Sequence, residues 1–164
     1  MNSPPITLKN LQERARFRFA DGNDIDELIP IYGRFYSEAV YKDYLTFDPE
    51  KVRDTIETGI LADIRPHILA IADGQIVGFI SYVFDRSFSV EPCQVLMELY
   101  VVPEYRRSAL GRSLVGLAIM EGQRAGAGAF HAPVASGMVE AKTLFNLFSK
   151  AGFTQFGYLL RRKL

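Results

Sequence analysis

Glu98-Leu99-Tyr100-Val101-Val102-Pro103-Glu104-Tyr105-Arg106-Arg107-Ser108-Ala109-Leu110-Gly111-Arg112-Ser113-Leu114 reads as the end of a strand, a short loop and the first turn of a helix. The run Gln94–Val102 is apolar on both faces, as a central strand should be. Pro103 ends it, because proline brings no N–H to a ladder. Small residues and arginines then lead into a helix from about Leu110 to Arg124. A helix N-terminus offers unpaired amides and a partial positive charge, and small residues let a phosphate approach that backbone. Arg106, Arg107 and Arg112 add cations, each charge-assisted bond being worth roughly 1.5–3 kcal/mol.

Two readings stay open on these local features: a pyrophosphate site, or a plain strand-to-helix turn with solvated arginines. The segment is not a P-loop, because no Lys-Ser or Lys-Thr follows Gly111. It is not a dinucleotide fingerprint either, because the glycine spacing is wrong.

Further along the chain, Gly126–Val134 reads as a short strand, which makes 94–134 a βαβ unit with parallel strands. Val139–Ala151 is a helix closed by Gly152, and Phe153–Arg162 a last strand. Upstream, His67–Ala72 and Gln75–Phe84 flank Asp73-Gly74, a strong hairpin signal. Asp21-Gly22-Asn23-Asp24 caps a helix from about Ile25 to Tyr41, where Pro30 predicts a kink or a restart. Asp48-Pro49 opens a second helix with Val52, Ile56, Ile60 and Leu61 on its apolar stripe. Ala15, Phe17 and Phe19 alternate with Arg14, Arg16 and Arg18 as a half-solvated strand. The order is β α α β β β α β α β, an α/β (α+β) fold with a mixed, mostly antiparallel sheet, a parallel βαβ unit and helices on both faces.

The 164 residues suit one domain, 1–164. Nineteen basic residues balance nineteen acidic ones, so no global field favours nucleic acid or an anionic membrane as partner. Cys93 is the lone cysteine, so no internal disulfide forms, and it reads as a small buried hydrophobe. No Cys/His spacing suggests a metal. No signal peptide or transmembrane run is seen, and a cytoplasmic location is the expectation.

Val101-Val102-Pro103 followed by Arg106-Arg107-Ser108-Ala109-Leu110-Gly111 resembles the acetyl-CoA-binding motif of the GNAT superfamily of N-acetyltransferases. Leu144–Phe153, ending in Gly152-Phe153, resembles that family's later helix, and the element order matches as well. The resemblance implies an N-acetyltransferase that moves an acetyl group from acetyl-CoA to a primary amine of a small molecule or protein, and it allows a homodimer. It implies that the thioester arm pairs with backbone at Leu99, Tyr100 and Val101, and that the pyrophosphate rests on Arg106, Arg107, Ser108, Ala109, Leu110, Gly111 and Arg112. Glu98, ionisable in an apolar strand and expected on one face with Leu96 and Tyr100, is the first candidate general base. His131 on the neighbouring strand is the second, and His67 is read as structural.

Three positions depart from the family pattern. Ala109 replaces the first motif glycine, and Phe148 stands where many members carry a tyrosine that protonates the departing thiolate. Ala141 also replaces an asparagine typical of that helix. These departures motivate an alternative, a GNAT-fold binding or regulatory protein without turnover. A third reading is a structural or assembly domain. Tyr32, Phe35, Tyr36, Tyr41 and Tyr44 are candidates for an aromatic wall around the acceptor.

Overall fold

Asp73 and Gly74 both take positive φ, 51° and 80°, which is the type I′ geometry that closes a two-residue hairpin. This turn joins β2 (His67–Ala72) to β3 (Gln75–Asp85). The computed structural model describes residues 15–43, 45–87, 89–134, 141–155 and 157. Its other elements are β1 (Arg16–Phe19), α1 (Ile25–Glu38), α2 (Pro49–Leu61), β4 (Cys93–Val101), α3 (Leu110–Arg124), β5 (Ala129–His131) and α4 (Ala141–Lys150). The five strands form one sheet in chain order. Strands β1 to β4 run antiparallel, and β4 and β5 are parallel.

Helices α1 to α3 begin where the sequence predicts, and the expected start of α4 at Val139 lies outside the described residues. Asp21 accepts from the Asn23 amide at 2.8 Å, and Asp24 takes the Asp21 amide and the Arg18 guanidinium. Asp48 accepts from the amides of Glu50 and Lys51, with Pro49 in the first turn. α1 passes through Pro30 without the expected restart. Pro30 lies near the helix start and is exposed, so it costs the ladder only the bond to the Asp26 carbonyl. The helix stops at Glu38 rather than near Tyr41, and Val40–Asp43 forms a 3-10 turn instead.

The sheet is sandwiched between helices. Tyr32 of α1 stacks on Phe79 of β3, with centroids 4.6 Å apart, on one face. On the other, Gln94 of β4 donates to the Ala118 carbonyl of α3 at 2.9 Å. Gly122 allows that approach, since a Cβ there would sit 2.1 Å from the Gln94 amide oxygen.

Strand β4 carries a bulge that the sequence does not announce. Tyr82 pairs with Leu96 but Ser81 pairs with Glu98, so Met97 is an extra residue. Paired residues share a face, and neighbours in β3 alternate. Leu96 therefore lies with Gln94 toward α3, while Glu98 and Tyr100 face α1. This corrects the expectation that Leu96 and Glu98 share a face.

Strand β5 is shorter than the expected 126–134 and pairs with β4 only from Cys93 to Val95. Most of the expected last strand lies outside the described residues, and residues 153–155 form none. No helix among the described residues is long and apolar enough to cross a membrane.

Candidate active site

The β4–β5 ladder ends at the pair Val95–His131, while β4 continues to Val101. The two parallel strands thus part into an opening. The Val102 amide donates to Val77 of β3, which fixes the alternation beyond it. Backbone groups of Leu99 and Val101 face the opening, and those of Tyr100 face β3. This corrects the expectation that the Tyr100 backbone faces the opening with those of Leu99 and Val101; Tyr100 lines the cavity there with its side chain.

A cavity of about 1030 Å³ lies at this opening. Every residue of 99–101 and 106–112 lines it except Leu110, whose side chain is buried in the core. Ala109 has φ −78° and ψ −2°, an ordinary right-handed conformation, so alanine replaces the motif glycine without strain. The left-handed residue of the loop is Arg107, at φ 65°. The Ser108 hydroxyl donates to the Tyr105 carbonyl at 2.6 Å and accepts from the Leu110 amide at 3.2 Å. The first intrahelical bond of α3 runs from Ser113 to Ala109. The amides of Gly111 and Arg112 thus have no intrahelical acceptor, and both residues border the cavity.

Arg107 and Arg112 are exposed at the rim, but Arg106 is committed elsewhere. It pairs with Glu38, donates from Nε to the Val101 carbonyl at 2.9 Å, and lies over the Tyr100 ring. The Tyr100 hydroxyl donates to the same Glu38 carboxylate at 2.6 Å. Burial pushes the Glu38 carboxyl up, but Tyr100 and Arg106 outweigh it and hold it below its usual range. Burial, reinforced by Glu38, pushes Tyr100 up to about 12, so the phenol keeps its proton at neutral pH. Lys42 and Lys150 also line the cavity. Sequence reasoning missed Glu38, Lys42 and Lys150, because only the tertiary placement of the end of α1, the 3-10 turn after it and the end of α4 brings them to the cavity.

A second cavity, of about 330 Å³, adjoins the first, and Phe35 lines both. Glu98 lies in its wall, with Arg65 beside it. Each side chain is only 15% exposed, and the two form an ion pair. Burial works against the Arg65 charge, but Glu98 outweighs it and raises the guanidinium above its ordinary value. Glu98 also accepts from the Ser81 hydroxyl and lies 3.2 Å from that of Tyr32. Glu98 is therefore not the isolated carboxylate the sequence suggests. Tyr36 also lines this cavity, as the expected aromatic wall requires; Tyr44 and the Tyr41 side chain lie outside what is described.

His67 proves to be a neighbour of this cluster. Burial pushes it down to about 4, so the ring is neutral at pH 7. Its Nδ1 donates to the Arg65 carbonyl at 2.9 Å, since a carbonyl only accepts. Its Nε2 then accepts from the Tyr32 hydroxyl at 2.8 Å. The depressed value makes a stability prediction. The unfolded chain takes up a proton near pH 6.5 and the native one only near pH 4, so this contribution is intact above 6.5 and is lost as pH falls to 4. The loss is about 3 kcal/mol for a full shift. Urea unfolding at pH 7 and pH 4 should show a drop smaller by about that amount in His67→Gln; an equal drop in both proteins refutes it.

His131 lines neither cavity. Its Nδ1 lies 3.2 Å from Cys93 Sγ at the start of β4. Cys93 is half-buried rather than buried as expected, and burial pushes its thiol up. Phe148 also faces away from the first cavity, at 4% exposure. The Phe153 amide donates to the Phe148 carbonyl and the Gly152 amide to that of Ser149, with Gly152 at φ 92°. This is a Schellman cap, and the rings of Phe148 and Phe153, 5.1 Å apart, supply its hydrophobic contact.

The chain resembles known proteins in fold. It superposes on an aminoglycoside N-acetyltransferase solved with CoA at a TM-score of 0.74 and 14% identity, over 92% of this chain and 94% of that one. A predicted acetyltransferase from Clostridium acetobutylicum, solved with acetyl-CoA, gives 0.72 and 14%, over 90% and 95%. A ribosomal-protein-alanine N-acetyltransferase from Brucella melitensis biovar Abortus 2308 gives 0.69 and 12%, over 90% and 98%. No curated protein matches the sequence. Residues 26–153 match the model of the acetyltransferase (GNAT) family, from the first helix to the Gly152-Phe153 cap. With most of its length matched, the chain belongs to the GNAT family of acetyl-CoA-dependent N-acetyltransferases.

Proposed function

We propose that the larger cavity receives acetyl-CoA, that the smaller one receives a primary amine, and that Glu98 accepts the amine's proton. The observation that carries this reading is the parting of β4 from β5, which leaves backbone at Leu99 and Val101 without a β5 partner beside the cavity that Gly111 and Arg112 also line. Leu99 and Val101 hold the thioester arm, and the first-turn amides of α3 hold the pyrophosphate, with Arg107, Arg112, Lys42 and Lys150 as surrounding cations. The amine nitrogen attacks the acetyl carbonyl carbon, the C–S bond breaks, and CoA leaves as thiolate. Glu98 takes the ammonium proton directly or through water. Tyr100 stands beside the opening with its phenol proton directed at Glu38, so the thiolate takes its proton from water.

Thermal-shift titration with acetyl-CoA, followed by thiol release over an amine panel, tests the assignment. No shift at saturating acetyl-CoA overturns it. Binding without turnover is the second reading, favoured by Phe148, which has no hydroxyl and is consumed in the α4 cap. Shift without thiol release on any amine would establish that reading.

A further inference from the structure

We propose that the acceptor is a primary monoamine with a compact apolar or aromatic body, not a polyamine or an aminoglycoside. This rests on the reading of the smaller cavity as the acceptor site. Its volume of about 330 Å³ is at the lower end for small-molecule sites. Phe35, Tyr36, Leu45, Phe47, Val52 and Met97 are half of its lining residues. The Tyr36 and Phe47 rings are 5.4 Å apart, and the Tyr36 hydroxyl donates to the Leu45 carbonyl, which pins the 45–47 segment over α1. The bulge at Met97 presents that side chain to the cavity rather than to a partner on β3.

The charges point the same way. Glu98 is the lone carboxylate among the described lining residues, and Arg65 already neutralises it. Lys51 is the other ionic residue of the wall. A second or third ammonium on the acceptor would find no unpaired carboxylate there, and would lose its water against aromatic rings. A monoamine has the opposite balance. Its body gains by leaving water, and its nitrogen has to be neutral to attack. Apolar surroundings favour that neutral form.

The test compares 2-phenylethylamine with spermidine, kanamycin and an alanyl peptide. With acetyl-CoA, kcat/KM should be at least about 10-fold higher for 2-phenylethylamine. Calorimetry on the protein with CoA should show 2-phenylethylamine binding more tightly than spermidine. Met97→Glu, at a half-exposed position, should move the preference toward spermidine about fivefold by adding a second carboxylate to the wall. Better turnover or tighter binding of spermidine, kanamycin or the peptide, or no binding of 2-phenylethylamine, overturns the proposal while leaving acetyl transfer standing. A missing acetyl-CoA shift fails the transfer reading instead, and the calorimetric order on the protein alone still decides this one.

Discussion

Glu98→Gln should lower kcat by about 10²- to 10⁴-fold while leaving acetyl-CoA binding unchanged, because the amide keeps the shape of the carboxylate but accepts no proton. The geometry allows a competing explanation, and the experiment has to separate the two. Glu98 is the counterion of Arg65, and both are largely buried. Removing one partner of such a pair leaves an uncompensated charge and costs up to about 3–5 kcal/mol of stability. Activity is therefore compared well below the melting temperature of each variant. Two further readouts distinguish a base from a brace. Raising the pH from 7 to about 9.5 increases the neutral fraction of an alkyl amine, whose pKa resembles that of lysine near 10.4, and so should restore much of the lost rate. Pairing Glu98→Gln with Arg65→Met removes the orphaned charge as well. If Glu98 only braces the wall, the double variant regains activity; if it takes the proton, the double variant stays slow. Wild-type kcat in Glu98→Gln sinks the assignment outright.

The larger cavity was legible in the sequence, and most of the surroundings of Glu98 were not. A proline after an apolar run, small residues and a helix start are local signals, and the 99–112 segment carries all of them. Gly152 likewise marks the end of α4 because a Schellman cap needs positive φ. The bulge at Met97 left no such mark. Cys93–Val101 is apolar almost throughout, so its alternation has no phase from which a one-residue slip could be read. That slip decides which face Glu98 occupies. Arg65 and His67 flank the turn from α2 into β2, and they reach Glu98 only through the β2–β3 and β3–β4 register that aligns His67, Ser81 and Glu98. Glu38 closes α1 like any surface glutamate and gains its meaning from Arg106 and Tyr100. Phe148 shows the reverse case. The sequence presents it as a missing hydroxyl, and the structure shows a ring occupied in the hydrophobic contact of a helix cap.

Gly111→Trp should weaken acetyl-CoA binding by at least about 100-fold, close to 2.8 kcal/mol, with little change in the melting temperature of the free protein. The two halves of this expectation come from one position. A Cβ on Gly111 would meet only Leu147 Cδ2, at 3.6 Å, which is ordinary van der Waals contact. The fold thus accepts a side chain there, and the substitution replaces glycine in a helix by a better helix former. Both Gly111 and Leu147 line the larger cavity, so an indole at 111 occupies the space beside the first-turn amides. Gly111→Ala grades the effect. It should raise stability by roughly 0.5–1 kcal/mol and cost less affinity than tryptophan, since one methyl group blocks less of the approach. The comparison also separates closeness from charge. Arg107→Gln removes a rim cation without filling the cavity, so its loss should shrink as salt rises, whereas the loss in Gly111→Trp should persist at high salt. Acetyl-CoA binding by Gly111→Trp at wild-type strength would mean that the phosphates do not rest on the start of α3.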